Sequence, residues 1–387
     1  CIRDSPSGAA VDAFGRARVS NPYTLWESFH RYQDNGKVST ANSATGSTVT
    51  HKPNESAIDC TITNTLNSYV YRESSRVFAY QPGKSLQILQ TFVMAPSQTG
   101  LRQRFGHFGT QNGHYLEVED NTTYFVRRSY VTGSVVNTRV EQADWNIDPL
   151  DGTGPSLLTL DISKPQILWT DVEWLGVGSV RQGFVIDGQF ITCHAWHHAN
   201  QPGANTTYMT TACLPVRAEI ENYNSMANTS TLKIICTTVI SEGGFEPRGR
   251  PRTCGHEPNT VTTLTTSGTY YPVAAIRLKS DRADGVVLPK NASLLGLTGN
   301  GSRLRYKIIT GATVSGGTWV DAGSDSSVQY NVSGTGLSGG TDLYSGYQAI
   351  NNQGSVAIDI GAGGDFFRYQ LERNSFTGGN TTFILAA

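Results

Sequence analysis

The chain has 387 residues, a formal net charge of −1 and a charged fraction of only 16%. This balance argues against a nucleic-acid-binding protein, which needs a basic face to meet the phosphates. The sequence also lacks an apolar run of the ~18 residues that a membrane-spanning helix requires. We therefore expect neither a nucleic-acid partner nor a membrane partner.

Residues 1–35 are predicted to form a polar N-terminal anchoring arm. The side chains expected to bind a neighbouring protein are Phe14, Arg16, Arg18, Tyr23 and Trp26. Phe14 sets a bulky group beside the flexible Gly15 and the charge of Arg16, and an arm that orders on binding needs such anchors in otherwise polar sequence. Packing of Phe14 against its own domain is the equally favoured alternative.

The remainder of the chain is predicted to be all-β. Short apolar runs bounded by Gly, Pro, Asn and Asp are typical of strands and turns. Residues 36–245 are expected to form the main β-sandwich, of jelly-roll or concanavalin/laminin-G-like type. Residues 246–262 hold three Pro and three Arg and predict a linker. Residues 263–387 are expected to form a second, smaller β domain.

Two local patterns give this prediction detail. Asp187-Gly188 stands between two alternating runs and is the two-residue signal of a β-hairpin. Leu304, Tyr306 and Ile308 alternate with charged residues, so we expect these three side chains to share one face of a strand.

Two clusters offer oxygen, nitrogen or sulfur atoms to a metal. The oxygen cluster consists of Asp144, Asn146, Asp148 and Asp151. Its spacing resembles a calcium loop, but Pro149 replaces the glycine of an EF-hand and the bidentate Glu is missing. A turn capped by Asp and Asn side chains is the favoured interpretation, so these four residues are only weak metal candidates.

The second cluster runs from Cys193 to His198. In an extended strand, Cys193 and His197 point to one face and His194 and His198 to the other. One strand then supplies two ligands per face, whereas zinc needs three or four. We therefore predict no metal and no cofactor, with the cluster filling strand faces.

Two carboxylate pairs are candidate glycosidase catalysts. Glu117 with Glu119, and Asp171 with Glu173, have the i, i+2 spacing that places two carboxylates on one strand face. The same pattern marks the solvent face of an exposed strand. Because no nucleophile elbow, P-loop or dinucleotide fingerprint accompanies them, the protein is predicted not to be an enzyme.

Arginines flank aromatic strands in the same region. They are Arg102, Arg104, Arg127 and Arg128. Basic and aromatic residues together can stack on nucleic acid or glycan. At near-neutral net charge, pairing of these arginines with carboxylates of a neighbouring subunit is the favoured interpretation.

Several segments resemble structural proteins of tailed bacteriophages, especially phages of marine cyanobacteria. They are DAFGRARVSNPYTL at 12–25, WLGVGSVRQGF at 174–184, HHAN at 197–200, YMTTACLPVR at 208–217 and GGTWVDAGSDSSV at 316–328. The resemblance implies a virion location and a structural role, and it brings no catalytic residues with it.

The leading hypothesis is a non-enzymatic component exposed on a phage particle: a capsid decoration or fibre protein, or a peripheral tail or baseplate protein. It predicts contacts with other virion proteins and a homo-oligomer, with a trimer as the favoured state. The alternative is a receptor-recognition module that binds host-surface glycan through residues 263–387, near Trp319, Tyr330 and Tyr344. A glycan depolymerase is the third hypothesis, and it lacks convergent carboxylates.

Overall fold

The structure is a computed structural model that describes residues 11–13, 15–16, 21–34, 37–246, 248–257, 260–297, 301–350, 356–359, 370–379 and 381–387. The chain divides into two compact units, Cys1–Glu246 and Pro247–Ala387. The division falls at the first residue of the predicted linker. Each unit is described by itself.

Fifteen strands are described in the first unit. They are β1 Pro22–Ser28, β2 Val38–Asn42, β3 Ser47–Lys52, β4 Ala57–Ile62, β5 Tyr69–Ser74, β6 Ser85–Val93, β7 Leu101–Phe108, β8 Gly113–Glu119, β9 Thr122–Ser129, β10 Val136–Glu141, β11 Gln166–Glu173, β12 Ser179–Ile186, β13 Gln189–Trp196, β14 Val216–Asn222 and β15 Ser230–Glu242. A 3₁₀ turn, Gln142–Asp144, follows β10.

The strands form two antiparallel sheets. Sheet 1 has the order β13-β12-β11-β6-β15-β4-β3, and sheet 2 has the order β10-β9-β8-β7-β14-β5-β2. The long strand β15 pairs with β6 along one edge. Its other edge pairs with β4 in the first half and with β1 in the second half.

Aromatic side chains fill the space between the two sheets. Phe92 of sheet 1 meets Phe105 of sheet 2 at a ring-centroid distance of 4.5 Å. Phe184 of sheet 1 lies 6.2 Å from Phe125 of sheet 2. All four rings are almost completely buried. The first unit is therefore a β-sandwich, as predicted, because each sheet buries one apolar face against the other.

The predicted hairpin is present. β12 ends at Ile186 and β13 begins at Gln189, so Asp187 and Gly188 form a two-residue turn. Both have positive φ, 50° and 75°, which is the backbone conformation of a type I′ turn. This confirms the interpretation of Asp187-Gly188.

The predicted arm needs a correction at its second half. Residues Pro22–Ser28 form β1, which pairs antiparallel with Thr237–Glu242 of β15. Leu25 and Trp26 are buried in the same unit. This part of residues 1–35 is a strand of the sandwich because it pairs with β15 and buries Leu25 and Trp26, and it is not a free arm.

Ten strands are described in the second unit. They are β16 Pro272–Leu278, β17 Asn291–Leu294, β18 Arg303–Thr310, β19 Thr313–Ser315, β20 Val320–Asp321, β21 Val328–Asn331, β22 Gly336–Ser338, β23 Thr341–Ala349, β24 Val356–Asp359 and β25 Phe383–Ala386. Sheet 3 has the order β20-β21-β16-β25-β18-β23, and β17–β24 and β19–β22 are separate two-stranded pairs. A 3₁₀ turn, Ser280–Arg282, follows β16.

Sheet 3 has an apolar cluster on each face. Tyr306 and Ile308 join Phe383 and Leu385 in one cluster, with the partly buried Leu304 packed against it. The predicted shared face of the β18 side chains is confirmed. Ile309 and Ile384 belong to the other cluster. A smaller β unit thus follows the sandwich, and the all-β class is confirmed. No helix of the described residues is long and apolar enough to span a membrane.

Candidate functional site

Arg16 contacts its own unit. Its guanidinium pairs with Asp12 and, at 2.6 Å, with the buried carboxylate of Glu173 on β11. The Arg16 backbone N–H also donates to Asp12 Oδ1 at 3.0 Å. A second link joins the Val11 carbonyl to the guanidinium of Arg181 on β12. The described part of residues 11–16 therefore lies against sheet 1.

The other anchoring candidates divide into two groups. Tyr23 and Trp26 lie on β1, where Trp26 packs against Phe78 at 5.6 Å and Tyr23 lies 6.5 Å from Phe245. Phe14 and Arg18 lie outside the described residues. The structure thus brings Arg16, Tyr23 and Trp26 onto the sandwich itself, and it does not gather them into one exposed patch.

The oxygen cluster closes turns. Asp148 is buried and accepts the backbone N–H groups of Leu150, at 3.0 Å, and Ser156, at 2.8 Å. Asp151 accepts the N–H of Thr153 at 2.8 Å. These are turns capped by carboxylates, as the sequence favours. Backbone donors bind both oxygens of Asp148 and Oδ1 of Asp151, as in a capped turn.

Asn146 joins the two metal candidates to each other. Its side-chain amide donates to the Ala195 carbonyl at 2.8 Å and accepts the Ala195 N–H at 2.9 Å. The Cys193 carbonyl accepts the N–H groups of both Ile147 and Asp148 at 3.1 Å. The loop therefore binds β13 as an additional strand would, with an amide side chain in place of backbone.

A β-bulge at Cys193 makes this contact necessary. Gln182 pairs with His194, whereas the next residue, Gly183, pairs with Thr192. Cys193 is the extra residue, so its carbonyl leaves the ladder and needs other donors. A Cβ on Gly183 would lie 1.9 Å from the Ile191 carbonyl oxygen, so only glycine fits at this close approach.

Cys193 and His194, two residues of the second metal candidate, lie at this bulge. The Cys193 thiol is buried, and burial raises its pKa. His194 lies 4.5 Å from the ring of Trp196, and its Nδ1 accepts the Asn146 N–H at 3.3 Å. Among the described residues, no three His, Cys, Asp or Glu side chains converge as metal ligands do.

The carboxylates of β8 lie in a ladder of ion pairs on the outer face of sheet 2. Arg104 pairs with Glu117 at 2.6 Å and with Glu219 at 2.8 Å. Arg217 pairs with Glu219 at 2.6 Å and with Glu73 at 2.9 Å. The carboxylate partners of Arg104 belong to the same chain, which corrects the expectation that this arginine pairs with a neighbouring subunit.

Two more arginines extend the ladder to Glu119. Arg102 contacts it at 3.2 Å and Arg139 at 2.8 Å. Arg139 also reaches Glu117 at 2.7 Å. Burial alone would raise the pKa of Glu219, but Arg217 and Arg104 outweigh it and hold that pKa below its usual value. These arginines therefore favour the ionised form of Glu219.

The pair on β11 is held in the same way. Asp171 pairs with Arg181 at 2.5 Å, and Glu173 pairs with Arg16. Both carboxylates are completely buried, whereas their i, i+2 spacing is typical of the solvent face of an exposed strand. The solvent-face interpretation is wrong here because further chain, including the described part of residues 11–16, covers this face of sheet 1.

Buried histidines cluster at one end of the sandwich. His107 Nε2 donates to the Leu214 carbonyl at 3.1 Å, and the ring of His114 lies 5.8 Å from that of Tyr208 and 6.1 Å from that of Trp196. Burial lowers the pKa of His107 to about 4. Burial, helped by Arg127, lowers the pKa of His114 well below its usual value. These rings are neutral core groups near pH 7.

The glycan candidates of the second unit lie at two edges of sheet 3. Trp319 precedes β20 and lies under the guanidinium of Arg277 at 4.1 Å, and Tyr330 lies on the adjacent β21. Tyr344 lies on β23, at the opposite edge, and is 54% exposed. The structure therefore brings Trp319 and Tyr330 to the same edge and separates Tyr344 from them.

A cleft of about 590 Å³ opens beside Tyr330. We call it the hydroxyl-lined cleft, because eight of its fourteen lining residues carry a hydroxyl group. Its lining residues are Gly255, His256, Glu257, Thr260, Val261, Thr262, Thr263, Thr265, Tyr271, Tyr330, Val332, Ser333, Gly334 and Thr335.

Sequence reasoning missed most of this cleft. The predicted linker includes residues 256–262, but His256 Nε2 lies 3.1 Å from the Val273 carbonyl of β16 and 3.0 Å from Thr262 Oγ1. The run of threonines from 260 to 266 was the available signal, since a free linker has no need of so many β-branched residues.

No protein-family model and no curated protein sequence matches the chain. Among solved structures, a Shewanella oneidensis MR-1 protein of unknown function aligns at 10% identity with a TM-score of 0.37, covering 62% of this chain and 94% of that one. The carbohydrate recognition domain of Emp47p aligns at 12% identity and a TM-score of 0.35, covering 56% and 96%.

A third similar structure is the CBM2 module of the evolved Dit protein of Lactobacillus casei BL23 phage J-1. It aligns at 6% identity with a TM-score of 0.36, covering 57% of this chain and 96% of that module. Similarity at this level does not assign a function to the chain.

Proposed function

We propose that the protein is a non-enzymatic structural component exposed on a bacteriophage particle, held there through its N-terminal segment. The resemblance of residues 12–25, 174–217 and 316–328 to tailed-phage structural proteins supports the phage assignment. The position in the particle, as capsid decoration, fibre, tail or baseplate protein, is part of the proposal, and so is a homotrimer.

The ion-pair ladder of the first unit is the observation that carries the structural role. Arg104 and Arg217 pair with Glu117, Glu219 and Glu73 on the outer face of sheet 2, where all five side chains are buried. Buried pairs of this kind are costly to break, because removal of one partner leaves an uncompensated charge. A sheet face held by several such pairs is suited to a structural building block.

The attachment test removes residues 1–20 and stops before β1, because a longer deletion would remove a strand of sheet 1. We expect the truncated protein to fold and to be lost from purified particles. Arg16→Ala in the full chain is the matched control, since it removes the Glu173 contact and keeps the segment. Normal occupancy of the truncated protein in particles would refute attachment through this segment.

The oligomeric state is tested separately. Light scattering of the purified chain is expected to give three times the mass of one chain, and a monomer would reject the trimer. Immunogold labelling of particles with antibody to this chain would then identify its position in the virion.

Recognition of host-surface glycan by the second unit is a second candidate function. The hydroxyl-lined cleft favours it, because clefts of ~300–1,000 Å³ with aromatic walls and a few polar groups are typical ligand sites. Its direct test is adsorption of the labelled full chain to host cells before and after enzymatic removal of surface glycan. Equal adsorption in both cases would reject it.

A further inference from the structure

We propose that the hydroxyl-lined cleft binds an uncharged saccharide, with Tyr330 and Tyr271 as its aromatic contacts. The proposal rests on the second candidate function, since it gives the site and the ligand class for glycan recognition. It is carried by three properties of the cleft: the chemistry of its hydroxyls, its charge and the fixed position of its walls.

The hydroxyls match the chemistry of a sugar. Thr260, Thr262, Thr263 and Thr265 supply one wall, and Ser333 and Thr335 supply the other. Each hydroxyl is one donor and also an acceptor, as is each hydroxyl of a saccharide. A wall of this kind can satisfy a ring of sugar hydroxyls whatever the direction in which each one donates.

The charge of the cleft selects against acidic ligands. Glu257 is the acidic residue of the described lining, and that lining includes neither Lys nor Arg. A sialic acid or uronic acid carboxylate would therefore meet a like charge with no cation to offset it. An uncharged saccharide avoids this repulsion, and Glu257 can accept its hydroxyl protons.

The walls are held in place by hydrogen bonds. His256 Nε2 lies 3.1 Å from the Val273 carbonyl and 3.0 Å from Thr262 Oγ1, which fixes the wall to β16. Tyr271 and Thr265 share a hydrogen bond of 2.7 Å between their hydroxyls. Preorganised walls lower the ordering cost of binding.

Tyr330 supplies the central aromatic contact. Its backbone pairs with Ile276 on one side and Val320 on the other, so the ring is anchored by two neighbouring strands. The side chain is half-buried. An aromatic face held beside hydroxyl groups is suited to the apolar C–H face of a sugar ring.

The test uses the full chain on immobilised oligosaccharides. Neutral probes end in glucose, galactose or N-acetylglucosamine, and acidic probes end in sialic acid or glucuronic acid. We expect binding to at least one neutral probe and none to the acidic probes. Calorimetry on the bound probe then measures the variants.

Tyr330→Ala should weaken binding of the neutral probe about tenfold or more. Tyr347→Ala is the matched control, because Tyr347 is 69% exposed on β23 and does not line the cleft. Glu257→Lys changes an exposed residue and should allow acidic probes to bind. Because a gain of binding cannot result from misfolding, this variant tests the site even if the Tyr330 variant folds poorly.

The outcomes separate the proposals. Binding to acidic probes alone, or binding unchanged in both the Tyr330 and Glu257 variants, would overturn this site and leave glycan recognition standing. No saccharide binding by a chain that still enters particles would overturn this inference and the second candidate function together. The structural role would then stand alone.

Discussion

The first unit buries both partners of several ion pairs, whereas the second unit has ion pairs such as Arg250–Asp325 near the surface. Arg104 is 8% exposed and Glu117 is completely buried, and they pair at 2.6 Å. In the second unit, the guanidinium side chain of Arg250 is 81% exposed and its partner Asp325 is 50% exposed. Removal of one partner of an ion pair should therefore lower the free energy of unfolding more in the first unit than in the second.

The difference follows from how each sheet is covered. Sheet 2 has core side chains on one face and the Arg–Glu ladder on the other, so its strands carry buried residues on both faces. Sheet 3 leaves exposed residues along β20 and β23, its two edge strands. The buried charged side chains of the first unit must keep their ion-pair partners, whereas the exposed surface of the second unit has room for a binding cleft.

Arg104→Ala should have the largest effect on this comparison. It leaves Glu117 and Glu219 buried without their shared partner, and loss of one member of a buried pair costs about 3–5 kcal/mol of unfolding free energy. Urea unfolding followed by tryptophan fluorescence measures it. Arg250→Ala, at an exposed pair, is the control and should leave the unfolding midpoint unchanged. Equal effects would contradict the contrast between the units.

Asn146→Ala should have the next largest effect. The change removes both hydrogen bonds to Ala195 and leaves its backbone N–H and carbonyl without these partners, which costs about 2–3 kcal/mol in unfolding free energy. Asn146→Asp is the matched control: it keeps the acceptor for the Ala195 N–H and loses the donor, so it should fall between Ala and wild type. Wild-type stability of the Ala variant would show that the loop does not hold β13.

Acidification should weaken the first unit more than the second. Burial lowers the pKa of His30, His107 and His194 to about 4. These rings take up protons near pH 6.5 in the unfolded chain but only near pH 4 in the folded chain, so their contribution is complete above pH 6.5 and is lost as the pH falls towards 4.

Unfolding midpoints at pH 7, 5.5 and 4.5 measure this effect. The decline should be smaller in a His107→Gln variant, because one of the depressed pKa values is then absent. A stability that is flat from pH 7 to 4.5 would contradict the assignment of these rings as neutral core groups.

The strands were predictable where one residue pattern decides the structure. Asp187-Gly188 fixes its turn locally, and the alternation of β18 places Leu304, Tyr306 and Ile308 without knowledge of the rest of the chain. The ion pairs of Glu117 with Arg104 and Arg139 were not predictable, because they depend on which strands become neighbours. Strand order is set by long-range pairing, which a local pattern does not contain.

The bulge at Cys193 shows the same limit at the scale of one residue. Strict alternation assigned Cys193 and His197 to one face, but an extra residue opposite Gln182 and Gly183 interrupts it. The loop that completes the bulge lies nearly fifty positions away, at Asn146. The two metal candidates of the sequence therefore contact each other in the folded unit, where the loop at Asn146 binds β13.

The smallest effect is expected from calcium. In the first unit, Asp148 already accepts two backbone N–H groups and Asp151 accepts one from Thr153, so the ligand oxygens face the chain. Added calcium chloride, or added chelator, should leave the thermal midpoint unchanged, since an ion stabilises a fold only if it binds the native state better than the unfolded chain. A calcium-dependent rise that Asp148→Asn abolishes would make this loop a cation site and would reverse the assignment of its carboxylates to turn capping.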